Sequence, residues 1–397
     1  MLFNSLTQIF IITMMNLRNI PQRLGTSAVA IFGVACVVGV FISVLSMAAG
    51  FERTMRSAGS SDTAIVMRAG ATSEMSSGLS YETTQLVAGL PGVAKDNGVA
   101  ITSAELFVVV DIAKRSTNSS ANVPLRGVQP EAFKVHRTFN IIQGRNFEPG
   151  KNELIVGRGA QKQFANLDVG SKIKLGQTEW SIVGLFESGG GVAESELWCD
   201  AKILQAVYRR GNSYQIMRLL LSSSSGLQEL KAAIAADPKF NLDVKLESEY
   251  LAAQSEPLSK FIKIVGYPLA ILMAIGAAFG AINTMYTSVS TRTREIATLR
   301  AIGFGALPVA ISTLVESLML SFIGGIIGSV VVYVIFNGYT VSTLNFASFS
   351  QVVFDFAVTP QLLVQGVIFA AVIGFVGGIF PAFRAAHLPV AAALREV

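Results

Sequence analysis

Residues 290–303 read STRTREIATLRAIG, a short charged segment set between two long spans that are almost free of charge. Ile296, Leu299 and Ile302 recur at helical spacing, while Arg292, Arg294, Glu295 and Arg300 put three positive charges and one negative on the remaining surface. An ordered amphipathic helix is predicted there. What lies on either side decides which kind of protein carries it.

Residues 264–291 hold no Asp, Glu, Lys, Arg or His, and residues 307–333 hold only Glu316. Two further uncharged runs cover 24–51 and 356–383. Each exceeds the roughly 20 residues that a helix rising about 1.5 Å per residue needs to cross about 30 Å of hydrocarbon. Four transmembrane helices are therefore expected, at 24–51, 261–289, 307–337 and 359–383. Composition agrees: 51% of the 397 residues are hydrophobic and 14% charged, against roughly 25% charged in a soluble domain. The first run ends in the small residues Ser46-Met47-Ala48-Ala49, as a cleaved signal peptide does. It is far longer than the roughly 7–15 residues of a signal core, so an uncleaved anchor is expected.

Basic residues resist translocation, and they mark three flanks as cytoplasmic. Arg18 and Arg23 precede the first span, Arg292, Arg294 and Arg300 lie between the second and third, and Arg384 and Arg395 follow the fourth. The stretch 338–359 has neither Lys nor Arg. Both termini are then cytoplasmic, and residues 52–260 lie across the membrane, with 338–358 a short loop on the same side. The pI near 9.2 reflects this topology and is no nucleic-acid footprint. Residues 1–23 mix Phe3, Leu6, Ile9, Phe10 and Leu17 with Asn4, Gln8, Asn16 and Arg18 before Pro21, the pattern of an amphipathic helix lying on the cytoplasmic leaflet.

Residues 52–260 alternate strand and helix signals. Strands are predicted at 63–68, 105–113, 123–128, 217–222 and 242–246, and helices at 81–89 and 226–236. Between about 136 and 210 short strands and Gly turns dominate, so a β-rich subdomain is expected inside an α/β domain. The helical pattern at 248–260 runs on into the second span, which predicts a rigid joint. Cys36 and Cys199 fall in different environments and are not expected to pair.

Three spans carry a small-residue step that lets helices approach closely: Gly276 and Gly280, Gly324 and Gly328, Gly374 and Gly378. Glu316 is the single charge inside a span. Two readings stay open for it: a functional carboxylate, or a structural carboxyl bonded to a neighbouring helix through Asn283 or Thr284.

Catalytic motifs are not found. Residues 144–152 (GRNFEPGKN) resemble a phosphate loop, but the spacer is one residue too long, Asn152 stands where Ser or Thr would touch Mg²⁺, and Pro149 removes a donor. His136 and His387 fall on opposite sides of the membrane, which leaves no His-rich metal site. The run Ser188-Gly189-Gly190-Gly191 beside Glu194 and Glu196 reads as a flexible turn or as a contact tip. Asn118-Ser119-Ser120 matches a glycosylation acceptor.

The segment from Arg294 to Gly303 resembles the signature of MacB/FtsX-like ABC transporter permeases, also called type VII or mechanotransmission permeases. Further likenesses are Phe139 to Phe147 with Pro149-Gly150, Glu153 to Gly157, Val169-Gly170, Trp180 to Gly184, Glu316-Ser317-Leu318 with Gly324 to Gly328, and Pro381 to Ala386. The tail from Pro389 to Arg395 departs from the family's Pro-Val-Glu-Ala-Leu-Arg by an extra residue and a missing acid.

The resemblance implies four transmembrane helices, an α/β periplasmic core domain with a β-rich insertion, and the bacterial inner membrane. It also implies a homodimer, or a heterodimer with a similar permease, bound to a separate ABC ATPase that carries ATP and Mg²⁺; this chain would hold no cofactor and no catalytic residue. Arg292, Arg294, Glu295, Ile296, Leu299 and Arg300 would form a coupling helix in an ATPase groove, its apolar stripe docking and its charges orienting. The outer domain would push substrate onward, through a periplasmic adaptor in some members. The alternative is a transmitter that moves no substrate and controls an envelope hydrolase or sensor.

Overall fold

The computed structural model describes residues 2–19 and 24–393. Pro21, Arg23, Leu394 and Arg395, which enter the topology and tail readings, lie outside the described residues. The chain divides into a helical unit, residues 1–48, 261–337 and 357–397, and a sheet unit, residues 49–260 and 338–356.

Among the described residues, four helices are long and apolar enough to cross a membrane: Leu24–Ser57, Glu247–Thr291, Ala306–Phe336 and Pro360–Ala386. In the helical unit, Val34, Val38 and Ile42 of the first pack with Ala278 of the second, Val332 of the third, and Ala370 and Ile373 of the fourth. Apolar side chains on the remaining faces, such as Val29, Phe32, Leu272, Phe279 and Val334, stay exposed, as lipid-facing surfaces require. Small residues set the spacing. A Cβ on Gly324 or Gly328 would come within 2.7 Å of the Ile31 carbonyl oxygen or 2.5 Å of that of Ala35. On Gly374 or Gly378 it would meet Ser321 at 2.5 Å or Ser317 at 2.7 Å. The third step behaves otherwise. Gly276 and Gly280 face open space: an added Cβ would have nothing within 4 Å among the described residues. The second span makes its close approaches at Gly266 against Val44 and at Ala281 against Gly377.

In the sheet unit one path of strands runs Leu242–Leu246, Thr63–Arg68, Ile216–Leu220, Thr102–Ala113, Ser120–Val128, Leu197–Asp200, Glu153–Gly157, Thr178–Ser188, Phe139–Gly144, with Lys172–Leu175 beside Thr178–Ser188. Two of the cores that lie along it mark its two parts. Ala64, Val66, Met217, Leu219 and Val244 pack against Val87 of helix Tyr81–Ala88 and against Leu230 and Ile234 of helix Gly226–Ala236. Leu106, Val108, Leu125, Leu154, Trp180 and Leu197 form the second core with Cys199 and Leu204.

The boundary between the cores differs from the expected insertion at about 136. Strand Thr102–Ala113 pairs through Thr102 to Glu105 with Ile216–Leu220, and from Leu106 onward with Ser120–Val128. One long strand is shared by both parts, so the β-rich part begins at Leu106. The stretch read as a short loop is a hairpin, Thr340–Asn345 paired with Ser350–Asp355. It completes the second core: Val353 is buried there, and its N–H donates to Ser195 Oγ at 2.8 Å.

Candidate coupling site and a buried charge cluster

Helix Thr293–Ala301 forms where the sequence places it, but its apolar side turns inward. Ile296 is buried with Ile12, Val289, Val309 and Ala385. Leu299 is half-buried. Ile296 and Leu299 are thus taken up by the chain's own helices, because an amphipathic helix beside an apolar bundle loses most water by facing it, while Ile302 stays exposed.

Two arginines also face inward. Arg292, at the helix N-cap, is 5% exposed; its Nη1 donates to Glu316 Oε2 at 3.1 Å. Ser288 Oγ lies 3.5 Å from Glu316 Oε1. The carboxylate is therefore held from Arg292 and Ser288, while Asn283 is exposed. At the other end, Arg300 Nη1 donates to the carbonyls of Ala386 at 2.8 Å and Leu388 at 3.0 Å, satisfying acceptors left open where helix Pro360–Ala386 ends. The N-terminal helix Leu2–Asn19 adds two ties: Asn16 Nδ2 donates to Ser312 Oγ at 2.9 Å, and Gln8 Oε1 accepts from the Gly305 N–H at 3.3 Å. Of the six residues assigned to docking, Arg294 and Glu295 remain exposed, together with Thr298, Ala301 and Ile302. The other four fasten the helix from behind.

Sequence reasoning missed a cluster in the sheet unit. Arg126 meets Glu196 through two bonds, Nε to Oε2 at 2.6 Å and Nη2 to Oε1 at 2.7 Å. Its Nη1 donates to Glu74 at 2.7 Å and to Glu105 at 3.0 Å. Arg218 donates to Glu247 at 3.0 Å and Glu74 at 3.3 Å, and also meets Glu105. Trp198 Nε1 donates to Glu196 Oε2 at 2.7 Å. Burial alone pushes the Glu105 carboxyl up, but Arg218, His136 and Arg126 together hold it well below the usual carboxylate range. Arg126 rises well above its ordinary value: burial opposes, and Glu196, Glu74 and Glu105 outweigh it. The signal available in the sequence is a lone charge inside an apolar strand, as in AELFV around Glu105, PLRGV around Arg126 and IMRLL around Arg218.

Two N–H groups of the phosphate-like loop are taken by carboxylates from outside it. The Glu148 N–H goes to Glu153 Oε2 at 2.9 Å and the Gly150 N–H to Asp200 Oδ2 at 2.7 Å. The glycine run is an ordered turn: Glu194 Oε1 accepts from the N–H groups of Ser188 and Gly190, and a Cβ on Gly191 would meet that of Ala58 at 2.6 Å.

A family of MacB-like periplasmic core domains matches residues 27–237, and an FtsX-like permease C-terminal family matches residues 268–390. Among individual proteins, the macrolide export ATP-binding/permease protein MacB of Bdellovibrio bacteriovorus is 24% identical, over 94% of this chain and 59% of its own length. The protein of the same name from Hahella chejuensis is 24% identical over 71% and 44%. The periplasmic region of MacB from Actinobacillus actinomycetemcomitans overlays 49% of this chain and 92% of its own at 13% identity and TM-score 0.38. The chain spans about half the length of the curated relatives it matches.

Proposed function

The chain belongs to the MacB/FtsX-like family of ABC transporter permeases, and from that premise we propose that it couples a separate ATPase subunit to movement of its sheet unit, for export or lipoprotein-type substrate handling. The names of its relatives, macrolide exporters and a probable syringafactin exporter of Pseudomonas syringae, support export. ATP and Mg²⁺ would be bound by the partner. Both termini and helix Thr293–Ala301 would be cytoplasmic, in the inner membrane, and two permease subunits would work as a pair, with a periplasmic adaptor where the route needs one.

The observation that carries this reading is the way helix Thr293–Ala301 is mounted. It is tied at its start by Arg292 to Glu316, in its middle by Ile296, and at its end by Arg300 to the carbonyls of Ala386 and Leu388. It presents Arg294, Glu295, Thr298 and Ile302 outward. A loop that merely joins two spans has no need of anchors on both sides. A helix that receives a push does, since force on its outer face then passes into the second, third and fourth spans.

The test is copurification from native membranes. Arg294→Glu with Glu295→Lys is expected to strip the ATPase subunit from the tagged chain, with membrane insertion unchanged. Retention of the ATPase at the wild-type level, or no ATPase with the wild-type chain, overturns the reading.

A further inference from the structure

The sheet unit buries more negative charge than it neutralises. Glu74, Glu105, Glu196 and Glu247 surround Arg126 and Arg218, and none of the six is more than 7% exposed. Four carboxylates against two guanidiniums leave an excess of two negative charges, which low-dielectric surroundings penalise steeply. Beside this cluster, His136 Nε2 lies 3.5 Å from Glu105 Oε1, and neither atom has a hydrogen-bond partner. The His136 ring packs on Trp198 with centroids 4.9 Å apart, and the Trp198 N–H is already spent on Glu196. A carboxylate oxygen facing an imidazole nitrogen is repelled by its lone pair and attracted by its N–H. Glu105, held ionised by its arginines, is the acceptor of such a pair.

We propose that the cluster is a proton-binding site, the proton sitting on His136 Nε2 and bridging to Glu105 Oε1. It is taken from water and cuts the buried excess from two charges to one. The His136 side chain is 11% exposed, enough to exchange with solvent. It shares a cavity of about 190 Å³ with Arg126, Arg137, Glu196, Arg218 and Glu247, so these are the charged groups around it besides Glu105. Arg137 is itself paired with Asp62 at 2.9 Å. Since Glu247 opens the helix Glu247–Thr291, the proton sets how firmly Arg218 grips the start of that helix. A proton held in this way by the folded chain stabilises it while bound, and that contribution is lost as pH rises.

The chain has two histidines, which makes the test clean. NMR of the full chain labelled with ¹⁵N-histidine, in detergent micelles, shows two rings, and His387→Gln assigns them. At pH 7 His136 is expected to show both ring nitrogens protonated; a neutral-tautomer pattern there overturns the proposal. Thermal unfolding of the full chain between pH 6 and 8.5 is a second measure. Wild type and His387→Gln should lose about 2–4 °C as pH rises, whereas His136→Gln, which keeps a donor near the Nε2 position without titrating, should not. Parallel curves for all three overturn it, and if His136→Gln fails to fold the NMR result on the native chain decides alone.

Discussion

Arg292 Nη1 stands 3.1 Å from Glu316 Oε2, with both side chains buried in the helical unit. This pair joins two features that the sequence presents separately, a charge on a coupling helix and a lone acid in a span. A buried pair is often worth little against apolar residues of equal volume, but stripping one partner strands the other. Glu316→Leu alone and Arg292→Met alone should each destabilise the chain by about 3–5 kcal/mol. The double variant should recover part of the loss. Thermal unfolding in micelles reads this, and additive losses would show that the two side chains do not act as a pair.

The inner face of the coupling helix should behave as core. Ile296→Ala removes packing against Ile12, Val289 and Val309, and is expected to cost about 2–5 kcal/mol. The exposed substitutions at Arg294 and Glu295 should leave the unfolding temperature where it is. Equal thermal effects at the two faces would contradict the orientation of the helix.

The glycine steps divide into two kinds. Gly328→Ala drives a Cβ to 2.5 Å from a backbone carbonyl of the first span, and should destabilise by about 1–3 kcal/mol through overpacking. Gly276→Ala and Gly280→Ala meet open space and should leave the isolated chain unchanged. A matching loss at all three positions, seen in unfolding curves, would mean that the second span is packed where the structure leaves it open.

Acid should attack the sheet unit through Glu105. Its carboxyl is held well below its ordinary value in the folded chain, so the stability it brings is complete above the ordinary carboxylate range, near pH 4, and drains away as pH falls below it. Urea unfolding of the full chain at pH 7 and at successive steps below pH 4 should show this loss. Glu105→Gln should be much less stable at pH 7 and change less with acid.

Residues 24–51, 264–291, 307–333 and 356–383 were legible in the sequence because lipid leaves one readable constraint, an unbroken apolar run. A strand such as Thr63–Arg68 was legible for a similar local reason, a short apolar run closed by turn residues. The orientation of helix Thr293–Ala301 was not. Periodicity says that Ile296 and Leu299 share a face, but not whether a partner or the chain's own helices receive it. The cluster around Arg126 was invisible for another reason. Glu74, Glu196 and Glu247 reach it from elements far apart in sequence, and only the strand order brings them together. The hairpin Thr340–Asp355 hid because its packing partner Ser195 lies some 150 residues earlier.

That hairpin should be essential to the sheet unit. Val353→Ala removes two buried methyl groups from the second core and is expected to cost about 2 kcal/mol. Limited proteolysis should then open the 106–204 region first. Unchanged protection there would argue that the hairpin is an ornament on a finished core.

The placement of Val353 also bears on biogenesis. Residues 49–260 emerge from the ribosome as a sheet whose second core is still one strand pair short, and the missing pair arrives only after the second and third spans have been threaded into the bilayer. At about 5–20 residues per second the nascent domain waits on the order of ten seconds with that side uncovered. Completion of the second core is therefore tied to synthesis of the third span, which precedes the hairpin in the chain.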